Sequence, residues 1–445
     1  MTRTSKVRVS GAIGVTGAKG FRAGAAAAGI KKKRGALDVA VLVCDTEASA
    51  AAVFTTNRVT GAPVQVSRRH LTARSAFAKA SADKSTIRLR PSAFALCATA
   101  DKPGFGGQVR AVVASSGNSN VCTGAQGLAD AEEMTCLVAK EVGCPAEAVL
   151  VASTGVIGRL LPMEKVRAGL PKALASLARG RKADAAFARA IMTTDTRPKQ
   201  AGVRLRIGGR TVTIGGATKG VGMIEPRMAT TLGFLATDAA VGHTLLQAML
   251  RRAADATYNC LTVDGHQSTS DTLVLLASGE AMAGCDPIAE GSAEAAKFES
   301  ALAAVCENLA RQIVADAEGG TKTIEVRVTG AASDEEAARA ARAIANSPLV
   351  KCAFFGEDPN WGRITSAAGG AGISSGADSM RLAIGGVLIF ENGTPVEVKA
   401  AKVKRAMKAR DIVVHLDLGA GRGEARVLTC DLSYDYVKIN ASYTT

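Results

Sequence analysis

The chain has 445 residues, of which 47% are hydrophobic, 21% are charged and only 4% are aromatic, and its net charge is +15 at pH 7. This composition excludes a mainly disordered chain and predicts a globular protein with a core of alanine and branched aliphatic residues. No apolar run approaches the roughly 18 residues of a membrane span, and the first residues lack the apolar core of a signal peptide. We therefore expect a cytoplasmic protein without a membrane partner.

The excess of positive charge raises nucleic-acid binding as an alternative function. However, the basic segments 31–34 and 204–210 contain no interleaved aromatic residues, and Trp361 is the only tryptophan. A stacking platform for single strands is therefore not predicted, and we expect no nucleic-acid partner. The ten cysteines are scattered without a Cys-x-x-Cys pair, so the sequence predicts reduced thiols and no zinc cluster.

Apolar runs and periodicities of 3.6 residues predict alternating strands and helices along the chain. The predicted strands are 39–44, 109–114, 203–214, 273–277, 324–328, 387–390, 412–418 and 425–428. The predicted helices are 128–142, 163–177 with a break at Pro171, 183–192, 244–256, 293–315 and 334–345. Hairpins mixed with helices predict an α+β fold, a layered sandwich of mixed or antiparallel sheets.

Three local patterns refine this prediction. The pairs Gly208-Gly209 and Asn392-Gly393 predict two-residue hairpin turns, and Ser333 with Glu336 predicts a capping box at the start of helix 334–345. Residues 75–84 are nearly repeated at 92–102. Two copies are too few for a repeat fold, so we interpret 74–106 as an inserted surface loop without a catalytic role.

The segment 219–238 places a threonine after a small residue, between a glycine-rich stretch and an apolar run. If the Ala229–Thr230 bond were cut, Thr230 would carry both a hydroxyl nucleophile and a free α-amine. The ordinary pKa of an α-amine, roughly 7.7–8.0, suits a general base near neutral pH. We therefore predict self-cleavage before Thr230, with Thr231 as a second candidate threonine.

A second candidate element lies at the end of the apolar run before residue 158. There a strand-like segment turns at Thr154 and Gly155, where a hydroxyl and a backbone N–H can point at one spot, as an oxyanion hole requires. A plain turn is the alternative. The four histidines are isolated, and neither a Gly-x-Ser-x-Gly motif nor a His-Glu-x-x-His motif occurs, so serine hydrolases and zinc peptidases have little support.

Together these segments resemble the ornithine acetyltransferase family, also called the glutamate N-acetyltransferases, whose precursors cut themselves before a threonine. The resemblance covers most of the chain. It is carried by residues 20–24, 28–31, 53–57, 116–120, 122–124, 153–158, 193–196, 219–238, 262–265, 318–322, 358–364 and 436–445. The chain departs from the family pattern at Glu225, where a small residue is usual, and at Arg227, where asparagine is usual. The family's Asp-Gly-Asp-Thr-Ser-Thr-Asn-Asp pattern also reads Asp-Gly-His-Gln-Ser-Thr-Ser-Asp here, at residues 264–271, with His266 in place of an aspartate.

The resemblance implies an ornithine acetyltransferase- and DmpA-like fold, processed into an α chain of residues 1–229 and a β chain of residues 230–445 that assemble as a heterotetramer. It makes Thr230 the nucleophile, Ala229–Thr230 the cleaved bond, and Thr154 with Gly155 the oxyanion hole. The implied substrate-binding residues are Thr193, Lys219, Thr230, Glu318, Asn440 and Thr445.

The implied reaction is transfer of the acetyl group of N-acetylornithine to glutamate through an acetyl-Thr230 ester, within arginine biosynthesis. It uses small-molecule substrates and no metal or bound cofactor, and acetyl-CoA is a further candidate donor. The alternative is an N-terminal-nucleophile amidase or aminopeptidase of related fold, in which water accepts the acyl group.

Overall fold

The computed structural model describes residues 8–80, 107–225 and 231–442. The strands in these ranges, in chain order, are β1 Phe21–Ala26, β2 Val39–Phe54, β3 Gln108–Asn118, β4 Val149–Val156, β5 Lys199–Ile207, β6 Arg210–Lys219, β7 Leu232–Thr237, β8 Thr272–Ala277, β9 Thr323–Ala331, β10 Arg381–Ile384, β11 Val387–Glu391, β12 Thr394–Pro395, β13 Asp411–Asp417 and β14 Gly423–Cys430. The helices are α1 Ala62–Ala80, α2 Gly124–Val142, α3 Met163–Ala175, α4 Arg181–Ala190, α5 His243–Ala256, α6 Ala293–Val314, α7 Asp334–Asn346, α8 Pro348–Phe355, α9 Trp361–Gly369, α10 Ala400–Lys408 and α11 Tyr434–Ser442. None of these helices is long and apolar enough to cross a membrane.

The larger sheet has eight strands in the order β4-β3-β2-β8-β7-β6-β5, with β1 paired to the first half of β2. The pairs β3–β4 and β7–β8 are parallel, and the other pairs are antiparallel. The register between β2 and β3 shifts between Val43 and Ala48, an irregularity of the kind that bends a strand. The first half of β2 can therefore pair with β1 and the second half with β8.

Helices cover the larger sheet on both faces. On one face, α5 and α6 bury Leu250 and Leu302 against β5–β8, and α2 and α3 pack on β2–β4. On the other face, Phe187 of α4 meets Phe234 of β7 edge to face, with ring centroids 5.5 Å apart. Burial on both faces explains why β7 and β8 read as continuous apolar runs rather than alternating ones.

The smaller sheet has six strands in the order β12-β11-β10-β13-β9-β14, in which only the pair β9–β13 is parallel among the described strands. Helix α7 packs on it mostly through alanines, and Ala340, Ala341 and Ile344 share a core with Val326 and Val414. Two mixed sheets layered with helices confirm the predicted α+β class.

Both predicted hairpin turns form. Gly208 and Gly209 have φ of +52° and +76°, and Asn392 and Gly393 have φ of +50° and +78°. Positive φ at both central residues is what a type I′ turn requires, and glycine and asparagine adopt it with little strain.

Two local predictions were wrong in detail. Pro171 lies inside α3, which continues without a break to Ala175 because Val166, Leu170 and Ala173 are buried around the proline. Packing thus compensates for the one backbone donor that proline lacks. Ser333 does cap α7, accepting from the backbone N–H of Glu336 at 3.3 Å, but the Glu336 carboxylate accepts from the N–H of Ser374 instead of closing the capping box.

Only the first residues of the predicted surface loop 74–106 are described, and they are helical. Residues 74–80 continue helix α1, and 81–106 lie outside the described residues.

Candidate active site

The predicted oxyanion hole lies where two parallel strands end together. Thr154 of β4 pairs with Ser116 of β3, and Gly155 pairs with Gly117. Gly155 has φ of +127°, and a Cβ atom there would lie 2.5 Å from the carbonyl carbon of Gly117. Only glycine fits this approach, so the two backbones meet without side chains between them. Thr154 is 5% exposed, at the end of an otherwise buried strand.

Asp195 joins the loop before β5 to the end of β6. Its two carboxylate oxygens accept the backbone N–H groups of Thr193 and Gly220, each at 2.9 Å. The fully buried Lys199 donates to Asp195 and to Asp316, each at 2.6 Å. Burial alone would raise the pKa of Asp195, but Lys199 and Lys219 hold it below its ordinary value. Asp195 is therefore an ionised anchor that fixes Thr193 relative to Lys219.

Lys219 is the last residue of β6 and pairs with Leu232, the first residue of β7. Removal from water lowers the pKa of its ammonium group, and the nearby carboxylates of Asp195, Asp271 and Glu318 oppose that shift. The side chain thus lies within electrostatic reach of three acidic groups. It lies beside the strand that follows the predicted nucleophile.

Thr231, the residue bonded to Thr230, is 1% exposed and accepts a hydrogen bond from the Thr272 N–H at 2.9 Å. It is therefore fixed in the strand layer next to Lys219. Ala229 and Thr230 lie outside the described residues.

Glu318 draws three parts of the chain together. Its carboxylate accepts from Thr194 Oγ1 at 2.7 Å and from Asn440 Nδ2 at 3.0 Å, and its backbone N–H donates to Val221 O at 2.9 Å. Of the predicted substrate-binding residues, the structure therefore brings together Thr193, Lys219, Glu318 and Asn440. Thr445 lies outside the described residues.

A cavity of about 980 Å³ opens beside this cluster, with Thr193, Asp195 and Gly117 in its wall. Asp195 is the only acidic residue among the described residues that line it. Six cationic side chains share the wall: Lys31, Lys32, Lys33, Arg34, Arg159 and Arg189. Burial lowers the pKa of Lys31 to about 8, against the opposing charges of Asp38 and Asp195. The cavity is thus strongly positive.

Sequence reasoning assigned no role to Thr194, Asp195, Lys199 or Lys31. The first two belong to segment 193–196, which carried part of the resemblance, so that segment was the available signal. Lys199 offered none, because a lysine at the start of a strand reads as a surface residue. Lys31 ended segment 28–31, which also carried part of the resemblance, but it was interpreted as the start of a solvated basic run.

The sequence profile of the ArgJ family matches residues 22–445. An arginine biosynthesis bifunctional protein ArgJ from Symbiobacterium thermophilum is 46% identical, over 97% of this chain and 98% of its own length. The protein of the same name from Geobacter sulfurreducens is 44% identical, over 96% of this chain and 99% of its own length.

Among solved structures, an ornithine acetyltransferase complexed with ornithine from Mycobacterium tuberculosis is 35% identical. The match covers 50% of this chain and 100% of that one, with a TM-score of 0.41. An ArgJ protein from Bacillus halodurans is 40% identical over 47% of this chain and 98% of that one, with a TM-score of 0.45. The resemblance drawn from the sequence is confirmed by the nearly full-length matches, and the chain belongs to the ArgJ family.

Proposed function

We propose that the chain is a glutamate N-acetyltransferase of arginine biosynthesis, which moves the acetyl group of N-acetylornithine to glutamate. The observation that carries the proposal is the cluster of Lys219 and Glu318 beside the strand that follows Thr230. An amino acid with a charged side chain needs a cation for its α-carboxylate and, for ornithine, a carboxylate for its side-chain ammonium. Lys219 and Glu318 supply this pair, while Thr193, Asn440 and Thr445 add hydrogen bonds.

The reaction proceeds in two halves. The Thr230 hydroxyl attacks the acetyl carbonyl while its own α-amine takes the hydroxyl proton, and collapse expels ornithine as that proton passes to the leaving amine. The α-amine of glutamate then attacks the acetyl-Thr230 ester, which releases N-acetylglutamate and restores the hydroxyl. Thr154 and Gly155 hold the negative oxygen in both halves. The chemistry requires no metal or bound cofactor.

The free α-amine arises by self-cleavage of the Ala229–Thr230 bond, which leaves residues 1–229 as the α chain and residues 230–445 as the β chain. The sheet supports an assembly that survives the cut. Strand β6 would belong to the α chain and β7 to the β chain, and they share a ladder from Ile214–Thr237 to Lys219–Leu232. A second ladder joins β2 to β8. We assign the processed enzyme to a heterotetramer of two α and two β chains. We place it in the cytoplasm, where its unpaired thiols at Cys44 and Cys306 stay reduced.

Product analysis tests the transferase against the amidase. With N-acetylornithine as donor, we expect N-acetylglutamate to form only when glutamate is present, because the acetyl-Thr230 ester reacts with an amine acceptor. Products are separated and weighed by mass spectrometry. Acetate release at an undiminished rate without glutamate would instead identify an amidase.

The basic cavity favours acetyl-CoA as a second donor. N-acetylornithine carries no phosphate and occupies a small part of 980 Å³. Lys32, Lys33, Arg34, Arg159 and Arg189 line the wall without forming an ion pair to any acidic residue in the described part of the chain. The phosphate groups of acetyl-CoA match such a wall, whose charge attracts anions.

The use of acetyl-CoA is expected to fall as the pH rises through about 8, because the Lys31 ammonium then loses its proton and the cavity one positive charge. The quantity to measure is the ratio of kcat/KM for acetyl-CoA to kcat/KM for N-acetylornithine. Both donors use the Thr230 α-amine as base, so the effect of its titration cancels in this ratio. We expect a several-fold fall between pH 7 and 9 in the wild type. Lys31→Arg, whose guanidinium stays charged, should abolish the fall. A flat wild-type ratio would contradict this role of Lys31.

A further inference from the structure

Residues 220–225, which follow β6, are held to the scaffold by hydrogen bonds along most of their length. Gly220 N–H donates to Asp195, and Val221 O accepts from Glu318 N–H at 2.9 Å. The N–H groups of Met223 and Ile224 donate to the Asp264 carboxylate at 2.6 and 2.8 Å. Four of the five residues 220–224 therefore have fixed backbone positions before the segment reaches Glu225.

Met223 shows that this path is imposed by the surroundings. Its φ is +54°, in the left-handed region that non-glycine residues seldom adopt. Such a backbone persists only where neighbouring contacts over-determine it. Here those contacts are the two hydrogen bonds to Asp264, so the scaffold directs the chain toward a set position at Glu225.

The Glu225 side chain supplies the last anchor described before the cut. Its Oε2 accepts from Asn346 Nδ2 at 2.6 Å, and its Oε1 lies 3.5 Å from Arg342 Nη1. The Asn346 amide is itself fixed, because its Oδ1 accepts from Thr262 Oγ1 at 2.6 Å. The Glu225 side chain is 14% exposed, so the contact is largely shielded from solvent.

The contact also provides Arg342 with its counter-charge. Arg342 Nη1 is buried without a hydrogen-bond partner, and its ion pair with Glu225 is the one that joins it to an acidic residue in the described ranges. A charged group in such a site is costly to leave unpaired. Glu225 and Arg342 therefore depend on each other.

The hydrogen-bond and ion-pair partners of Met223, Ile224 and Glu225 lie on the far side of the predicted cut. Thr262 and Asp264 follow β7, and Arg342 and Asn346 belong to α7 on the smaller sheet. After cleavage these residues would be in the β chain, and Glu225 in the last residues of the α chain. The contact would then hold the new α-chain end to its β chain.

We propose that Glu225 is a positioning residue for self-cleavage, which fixes the chain ahead of the Ala229–Thr230 bond by its contacts with Asn346 and Arg342. The inference rests on the proposed cleavage at that bond. In that reaction the Thr230 hydroxyl attacks the Ala229 carbonyl, the C–N bond breaks to free the α-amine, and water hydrolyses the resulting ester to the Ala229 carboxylate and the Thr230 hydroxyl. Attack of this kind needs a fixed geometry, since small misplacements cause large losses of rate.

The test follows the cleavage of full-length chains after cell-free synthesis, by intact-mass measurement over time. We expect Glu225→Ala to slow the appearance of the two fragments at least tenfold, and Glu225→Gln, which keeps an acceptor for Asn346 but loses the charge, to slow it less. Glu141→Gln, an exposed glutamate on α2, is the matched control and should cleave at the wild-type rate. The transfer rate per mole of cleaved chain gives a second readout, which a general folding defect would lower together with cleavage.

Coupling to Arg342 gives the sharper test. If the two side chains act as a pair, Arg342→Met should slow cleavage, and the double variant Glu225→Ala/Arg342→Met should be no slower than the worse single variant. If Glu225→Ala fails to fold, Glu225→Gln decides the matter alone. Cleavage of both Glu225 variants at the wild-type rate would overturn the inference, whereas a wild-type chain that stays intact yet transfers acetyl groups would overturn the proposed cleavage itself.

Discussion

Replacing Thr230 with alanine is expected to leave one intact chain of 445 residues with no acetyl transfer. The substitution removes the hydroxyl nucleophile that the mechanism uses both against the Ala229 carbonyl and against the acetyl donor. Without the cut the α-amine stays in a peptide bond and cannot act as a base. Intact-mass measurement and the N-acetylglutamate assay, run on the same preparation, check both parts of the expectation.

Thr230→Ser is the control that keeps the hydroxyl nucleophile and removes only the β-methyl group of threonine. Serine keeps the hydroxyl but lacks the branched Cβ that restricts χ1, so we expect slower cleavage and residual transfer. Thr231→Ser tests the neighbouring threonine. Since Thr231 is 1% exposed and its carbonyl is already bonded to Thr272, we expect this variant to cleave as the wild type does.

The mass of the β chain distinguishes cleavage before Thr230 from cleavage before Thr231. A fragment beginning at Thr230 is heavier by one threonine residue than a fragment beginning at Thr231. Two fragments and normal transfer in Thr230→Ala would contradict the nucleophile assignment. Cleavage one residue later would move that assignment to Thr231.

The elements that local pattern decides were predictable from the sequence. The turns Gly208-Gly209 and Asn392-Gly393 formed because two-residue hairpins demand positive φ, and helices α2, α5 and α6 formed near their predicted bounds because one face of each is apolar. Pro171 failed as a helix breaker because burial of its neighbours is a tertiary effect. The Glu336 carboxylate accepts from Ser374, 38 residues away, and does not close the predicted capping box. No local sequence pattern encodes such a long-range contact.

Within the candidate site, too, some residues were predictable from the sequence and others were not. The identities of Thr193, Lys219, Glu318 and Asn440 came from the family resemblance, and the structure places them around one carboxylate cluster. The support beneath them did not come from the sequence. Lys199 joins Asp195 to Asp316 across more than a hundred residues, and Glu225 meets Asn346 across a similar span, so only the fold reveals these pairs.

Replacing Lys199 with methionine is expected to destabilise the protein by about 3–5 kcal/mol and to abolish most of the transfer. Lys199 is fully buried between Asp195 and Asp316, and removing one partner of a buried ion pair leaves the others uncompensated. Asp195 also fixes the N–H groups of Thr193 and Gly220, so its displacement would shift Thr193 and Lys219 together. Urea unfolding in the intact Thr230→Ala chain measures the stability loss, and kinetics in the cleavable chain measure the transfer.

The matched control is Arg252→Met, which breaks the exposed ion pair with Glu299 and should change stability by about 0–1 kcal/mol.

The pH dependence of stability gives an independent check. Because the folded pKa of Asp195 is depressed, its contribution to stability is present above its unfolded pKa and is lost as the pH falls through the folded pKa. Lys199→Met removes the charge that depresses this pKa, so the variant should lose stability at a higher pH than the parent. A stability loss no larger than that of Arg252→Met would show that the buried triad does not hold the site, and Thr193 and Lys219 would then need another support.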